Sequence, residues 1–393
     1  MKEPLTVVPG ATAGEILALL RRRGPLTRSE IGRLTGHSRT AVTARVDQLL
    51  ARDLVVERAA AESTGGRPPV RLELNAHGGV VLAGALGASR TIMAVCDLAG
   101  EPLAETELSV DLSDGPAVVL GAAAAEFAQL LDDSGFGKEA VRGIGLSVPG
   151  AVDVVTGRSV SPPVQQGWGD VPFLDYFTAR FPVPITVDND VNALALEQRR
   201  RHPDVDDLVV IKASTGIGAG IICRGTLIRG TVGAAGEIGH IKVSDGGGAL
   251  CRCGGIDCLE AVAAGWALTP KLAAAGLPVK RTLDIADLAR DGDPAAVRAV
   301  RDAGRCIGEV AAALINVLNP ELLFVDGDLA YAAEPLIAGM REVIYQRATA
   351  MATRKLRIEA SDLHGQGSVA ACATMILDDI LSPRAVDSLL AAA

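Results

Sequence analysis

The sequence predicts an α/β protein: a winged helix-turn-helix head joined to a two-lobed body whose lobes face a ligand cleft. Three observations carry that expectation. Residues 12–51 hold three short helical patterns, and two alternating strands follow. The body, about residues 79–393, twice runs from strands into helix-covered strands. Charge divides along the same line. Residues 1–75 carry twelve Lys/Arg against eight Asp/Glu, a balance of +4 in a chain of net −9, which leaves −13 on the rest. A basic head on an acidic body suggests that only the head meets phosphate, although ordinary charge fluctuation also reaches +4.

In the head, Ile16, Leu17, Leu19 and Leu20 recur at helical spacing over Thr12–Arg23, and Gly24-Pro25 ends the helix. A second helix starts near Thr27, with Ile31 and Leu34 inward. Thr35-Gly36-His37 makes a tight turn, where Gly36 can take positive φ. Ser38 is a natural N-cap for a third helix running to about Ala51. Val42, Val46, Leu49 and Leu50 should face the core. The opposite face carries Thr40, Ala41, Ala44, Arg45 and Gln48. Small residues there allow close approach to a major groove, and Arg45 can reach a guanine edge or a phosphate. With Ser38, Arg39 and Arg67 they make the candidate DNA contacts. Arg67 lies between Gly65-Gly66 and Pro68-Pro69, where a wing could enter the minor groove. A small helical interaction domain with a solvated polar face is the alternative.

The body's first lobe should span about residues 79–184 plus a C-terminal helix over 367–381, and the second about 185–366. Strands are expected at Val80–Gly84, Thr91–Asp97, Pro102–Val110 and Gly143–Val148, with a helix over about Pro116–Leu131. A second half should restart near Ile185. Half the chain is apolar (49%) with 3% aromatics, so Ala, Val, Leu and Ile must build the core. No apolar run approaches the roughly 18 residues of a membrane span. Met-Lys-Glu-Pro at the N-terminus lacks a signal-peptide pattern, and seven cysteines, an odd number, suggest reduced thiols in a cytoplasm.

Three loops carry chemistry. Val187-Asp188-Asn189-Asp190 ends a strand and opens a helix, so Asp190 could act as a general base and Asn189 could bind a hydroxyl. Alternatively Asp188 or Asp190 merely caps the helix. Ser214-Thr215-Gly216-Ile217-Gly218-Ala219-Gly220 could cradle phosphate through its amides, or could simply be a Gly-rich hairpin. The third loop is the most specific. His240 lies eleven positions before Cys251, and Cys253 and Cys258 follow at C-x-C-x₄-C spacing. A Cys₃His set fills a tetrahedral Zn²⁺, so the metal would be structural. Glu237 and Glu260 flank it as acceptor-only groups suited to sugar hydroxyls.

These residues resemble the ROK family of bacterial repressors and sugar kinases. The resemblance rests on Thr215-Gly-Ile-Gly-Ala-Gly220, Gly225-Thr-Leu-Ile-Arg-Gly230, Gly233-Ala-Ala-Gly-Glu237-Ile-Gly-His240 and the Cys-Leu-Glu260 block. The head, with Leu26-Thr-Arg-Ser-Glu30 and Gly65-Gly-Arg-Pro68, resembles the winged helix of the repressor branch. The resemblance implies an actin-like, hexokinase-type ATPase fold. It implies a sugar site of Asn189, Asp190, Glu237, His240 and Glu260, and zinc on His240, Cys251, Cys253 and Cys258. Asp190 would be the position of the kinase base. It also implies operator DNA and a sugar effector as partners, and a homodimer or homotetramer on a pseudo-palindrome.

The departures point away from catalysis. Kinase members carry an Asp where this chain has Ala85, and a methyl group cannot help hold Mg²⁺. A later nucleotide loop, usually Gly-Gly, reads Val325-Asp326-Gly327-Asp328, whose carboxylates repel a triphosphate. Asp257 replaces a familiar Gly, and Val164 stands where Asn is common before Gly167-Trp168. The expected protein is a cytoplasmic, sugar-responsive regulator with vestigial kinase machinery. An active sugar kinase with a DNA-binding head, and a regulator needing no small effector, are the rivals.

Overall fold

A computed structural model describes residues 12–59, 70–87, 90–160, 167–363 and 367–392. The head contains α1 (Ala13–Arg23), α2 (Arg28–Thr35), α3 (Arg39–Leu50), β1 (Val55–Ala59) and β2 (Val70–Leu74). Thr12 and Thr27 each close a capping box, with Glu15 and Glu30, so the first two helices start where their own side chains satisfy the first amides. Gly36 ends α2 at φ 72°, and the Ser38 hydroxyl accepts from the Ala41 N–H to cap α3. β1 and β2 form the wing stem in antiparallel register, and Leu26 bridges to Leu72. Leu50, expected in the core, is only partly buried at its edge.

In the body, β3 (Val80–Leu86), β4 (Thr91–Asp97), β5 (Pro102–Leu108), α4 (Pro116–Asp133) and β6 (Val141–Val148) come first. Then come β7 (Val152–Asp153), β8 (Arg158–Ser159), α5 (Asp175–Thr178), β9 (Ile185–Asn189) and α6 (Asp190–Arg201). The second half has β10 (Leu208–Ala213), β11 (Ile217–Cys223), β12 (Thr226–Leu227), α7 (Leu259–Ala263), α8 (Gly265–Ala274), α9 (Thr282–Arg290) and α10 (Pro294–Leu318). It continues with β13 (Leu322–Asp326), α11 (Ala333–Arg347), α12 (Ala350–Thr353) and β14 (Arg357–Ala360), and the chain closes with α13 (Gly367–Ile380) and α14 (Pro383–Ala391).

Among the described residues, the two large sheets share one topology. Their orders are β5-β4-β3-β6-β9 and β12-β11-β10-β13-β14. In each, the first strand is central, the next two add antiparallel on one side, and the last two add parallel on the other. This corrects the expected lobe boundary. The strand Ile185–Asn189 does not open the second lobe. It pairs in parallel with β6, Ile144 against Ile185 through Val148 against Asn189, and completes the first sheet. Its last residues therefore reach the mouth of the cleft, and α6 leads across to the second sheet.

Head and body share one core. Ile16, Leu17 and Leu20 of α1 and Val42, Val46 and Leu49 of α3 join Val81 and Ala83 of β3, Ile376 of α13 and Val386 of α14. Fully burying such side chains contributes about 1.5–3 kcal/mol each. The helix α14, which is not among the expected elements although Ser382-Pro383 is a cap-and-first-turn signal, lies against α1. A Cβ on Gly14 would stand 2.2 Å from the Pro383 carbonyl oxygen, and the Gly14 N–H donates to Asp387 Oδ1 at 2.9 Å. Arg21 pairs with Asp378 at 2.9 Å. No helix among the described residues is long and apolar enough to cross a membrane.

Candidate functional site

A cavity of about 170 Å³ lies between the two sheets. Ala85, Asn189, Asp190, Lys212, Gly216, Glu237, Glu260, Trp266, Asp326 and Asp328 are among its walls. The parallel strands bring these residues together, since β3, β9, β10 and β13 end at the same side and deliver Ala85, Asn189, Lys212 and Asp326.

The β9–α6 junction differs in detail from either aspartate cap. Asn189 is the cap: its Oδ1 accepts from the Val191 N–H at 2.9 Å, and its Nδ2 donates to the Gly150 carbonyl at 2.8 Å. Asp188 is fully buried and satisfied, accepting from the Asn189 N–H (2.7 Å), Asn192 Nδ2 (2.8 Å) and Arg229 Nε (2.7 Å). The pair to Arg229 ties the first sheet to the loop that leads to Glu237. Asp190 is thus left free of capping, facing the cavity, with its Oδ2 accepting from Lys212 Nζ at 2.6 Å.

Glu260 is buried at the start of α7. Its Oε1 accepts from the Ile217 N–H at 2.8 Å, and its Oε2 from Trp266 Nε1 at 3.3 Å. This explains the Gly-rich run: a Cβ on Gly216 would meet Glu260 Oε1 at 2.6 Å. The run is glycine because the Glu260 carboxylate closes on Gly216 and α6 closes on Gly220, where a Cβ would stand 2.4 Å from the Val191 carbonyl oxygen, which favours the hairpin reading over a phosphate cradle. Glu237 faces the same cavity. Burial pushes its carboxyl above the usual range; His240 opposes this, and Glu260 and Asp190 add to it.

His240 is not part of the cavity wall among the described residues. Its Nε2 lies 3.9 Å from Glu237 Oε2, while Nδ1 turns to Cys251 Sγ at 3.6 Å. Cys253 and Cys258 sulfurs are 3.7 Å apart, and all four donor atoms lie within 4.8 Å of one another. A Zn–S bond of about 2.3 Å in a tetrahedron sets donor separations near 3.7 Å, so donor type and spacing both fit Zn²⁺. Asp257 takes the left-handed conformation (φ 60°) that a glycine would favour. Its Oδ1 accepts from the Gly248 and Ala249 N–H groups at 2.7 and 3.0 Å, which keeps the loop shape without glycine. Arg252, between Cys251 and Cys253, stacks over Trp266 at 4.6 Å and joins the cysteine loop to the cavity wall.

Ala85 brings only a methyl group to the same cavity. Asp326 Oδ1 accepts from the Gly327 N–H at 2.6 Å, and Asp328 Oδ2 from the Ser214 hydroxyl at 2.8 Å. Lys212, Trp266 and Arg229 are the residues that sequence reasoning missed. Lys212 leaves one signal, a lone cation in the apolar run Leu-Val-Val-Ile-Lys-Ala.

In the head, Ser38, Arg39, Thr40 and Ala44 are exposed on α3, and Ala41 and Arg45 partly so. Arg45 Nη1 donates to the Ala41 carbonyl at 3.2 Å, which holds it along the helix. Arg67 and Val164 lie outside the described residues.

The ROK family model matches residues 82–378 and the MarR family model residues 9–65. A putative xylose repressor of Caldicellulosiruptor sp. (strain Rt8B.4) is 27% identical over 382 residues, covering 93% of this chain and 95% of the relative. The crystal structure of a ROK family transcriptional regulator, a homolog of the E. coli MLC protein, is similar at TM-score 0.83 and 26% identity, over 97% of this chain and 98% of that one. A ROK family glucokinase from Streptomyces griseus, solved with glucose and AMPPNP, is similar at TM-score 0.64 and 27% identity, over 75% of this chain and 98% of that one. The chain belongs to the ROK family, with a MarR-type winged helix ahead of its hexokinase-like body.

Proposed function

We propose that this protein is a sugar-responsive transcriptional regulator, a repressor, whose body binds a sugar without phosphorylating it. The observation that carries the reading is the asymmetry of the cleft. On one wall Asp190, Glu237 and Glu260 stand as acceptors around one cavity, backed by a Cys₃His clip. On the other, Ala85, Asp326 and Asp328 remove a cation ligand and add negative charge where a triphosphate would lie. The full-length similarity to a putative xylose repressor and to a ROK regulator supports the regulatory half.

In this reading Zn²⁺ sits on His240, Cys251, Cys253 and Cys258 and supplies rigidity alone. Asn189, Asp190, Glu237 and Glu260 make the sugar site, and His240, behind the cavity wall, contributes to it through Glu237. His240 holds the metal through Nδ1 and aligns Glu237 through Nε2. Operator DNA meets Ser38, Arg39, Thr40, Ala41, Ala44, Arg45 and the wing residue Arg67. A homodimer or homotetramer would place two α3 helices one helical turn apart, about 34–36 Å. Sugar closure must favour one head arrangement over another, because a ligand shifts an equilibrium only by its differential affinity. The direct test selects a binding site from random DNA, then screens sugars for thermal stabilisation and for a change in DNA affinity. If zinc-loaded, folded protein binds no sugar and no DNA, the proposal fails. ADP release on a sugar panel, abolished by Asp190→Asn, would favour the kinase instead.

A further inference from the structure

Lys212 is the one charged residue of β10, and it projects into the cleft among three carboxylates. Its Nζ donates to Asp190 Oδ2 at 2.6 Å, and its side chain is largely buried. Asp326 is its register partner on the adjacent parallel strand β13. Asp328 lines the same cavity two residues on. Asp326 and Asp328 each have an oxygen fixed by a hydrogen bond, to Gly327 and Ser214, so none of these carboxylates can swing away freely. Burial would draw the Lys212 ammonium toward neutrality, but Asp190, then Asp326 and Asp328, outweigh it and keep the lysine charged above its ordinary value. Of the other cations on the cavity wall, Arg90 points to Tyr331 and Arg252 stacks on Trp266.

A divalent ion fits this wall poorly. Ala85 supplies no oxygen, and a positive charge already stands against Asp190. We propose that Lys212 is a built-in counter-cation that takes the place of the ion a nucleotide would bring, so that the cleft binds its sugar without metal or nucleotide. Lys212 engages Asp190 Oδ2 and leaves Oδ1 to accept from a sugar hydroxyl. Beside Lys212, a triphosphate would meet three carboxylates and an ammonium that one of them already engages. The inference deepens the proposed function and rests on its reading of the cleft as a sugar site.

The test uses full-length, zinc-loaded protein and Mn²⁺ as the probe, followed by calorimetry and by the Mn²⁺ electron-paramagnetic spectrum. Wild type should show no cleft binding of Mn²⁺ and no effect of Mg²⁺ on sugar affinity. Lys212→Met and Lys212→Gln uncover the carboxylates and should gain a Mn²⁺ site at least about tenfold tighter than the weakest binding the measurement detects. Adding Asp326→Asn should remove that gain, and Lys212→Arg should not show it. Circular dichroism and zinc content establish that each variant is folded. Mn²⁺ or Mg·ATP binding to wild type in competition with sugar overturns the proposal, as does a folded Met or Gln variant that gains no Mn²⁺. If wild type binds no sugar yet the variants gain Mn²⁺, the sugar-sensor reading fails while Lys212 keeps its role. If sugar binds only with Mg·ATP, the reverse holds.

Discussion

Both walls of the cleft are rich in acid, yet they organise it in opposite ways. On the wall proposed for sugar, Glu260 is held by Ile217 and Trp266, and Glu237 lies beside His240. On the other wall, Asp326 and Asp328 are each held by a hydrogen bond and share the cavity with Lys212 and Ala85. The fold is the same on both sides, and even the two sheets repeat one topology. In the proposed reading, Ala85, Lys212, Asp326 and Asp328 are the four side chains that set one wall apart from the other. That reading asks transfer chemistry and ligand geometry to depend on different strand ends, so that one can change without the other.

The largest expected break in that contrast is at the metal. Cys258 is buried, so Cys258→Ser should lose zinc and cost several kcal/mol, with sugar binding abolished. Elemental analysis and thermal unfolding measure this. Next, Glu260→Gln should weaken sugar binding by about 2 kcal/mol, roughly thirtyfold, because one of two anchored acceptors becomes a donor. Calorimetry reads it, and unchanged operator affinity in the absence of sugar confirms a local effect.

The seam between the walls offers a third probe. Glu197 on α6 is fully buried and accepts from Arg200, Arg201 and Thr374 of α13. Burial alone would raise its carboxyl, but the bonds from Arg200, Thr374 and Arg201 prevail and hold it below its ordinary value. Its contribution is therefore complete above the unfolded carboxyl range and lost as pH falls through the lower folded value. Glu197→Gln should cost about 1.5 kcal/mol near neutral pH and less in acid. Chemical denaturation at several pH values checks the sign.

A smaller effect is expected in the head. Arg45→Ala should reduce operator affinity by about 1 kcal/mol and leave sugar affinity unchanged, by fluorescence anisotropy and calorimetry. The smallest belongs to the wall that carries Ala85, Asp326 and Asp328. Ala85→Asp should give no ADP release above background, since Lys212, Asp326 and Asp328 remain.

The head was legible in the sequence because its signals are local. Thr12, Thr27 and Ser38 cap helices within three residues, and Gly36 turns the chain between two of them. The His/Cys₃ group was legible for the same reason, since His240, Cys251, Cys253 and Cys258 fall within nineteen residues. Distant pairings were not. Gly14 and Asp387 meet across a separation of 373 residues, and nothing near either announces α14 as a seat for the head. Ile185–Asn189 looked like the start of a lobe because a helix follows it, whereas its edge pairing with β6 is a long-range choice. Lys212 was visible only as an odd cation in an apolar strand, and its meaning depends on Asp190 and Asp326, which come from other strands.

The central claim is that sugar occupancy, without phosphoryl transfer, changes DNA binding. It is tested most directly by fluorescence anisotropy of a labelled operator, titrated with a sugar panel in the absence and presence of Mg·ATP. The account predicts that at least one sugar shifts operator affinity about fivefold or more, equally with and without Mg·ATP and with no ADP formed. Operator binding that no sugar alters in the zinc-loaded protein, or a shift that appears only as ATP is consumed, would contradict it.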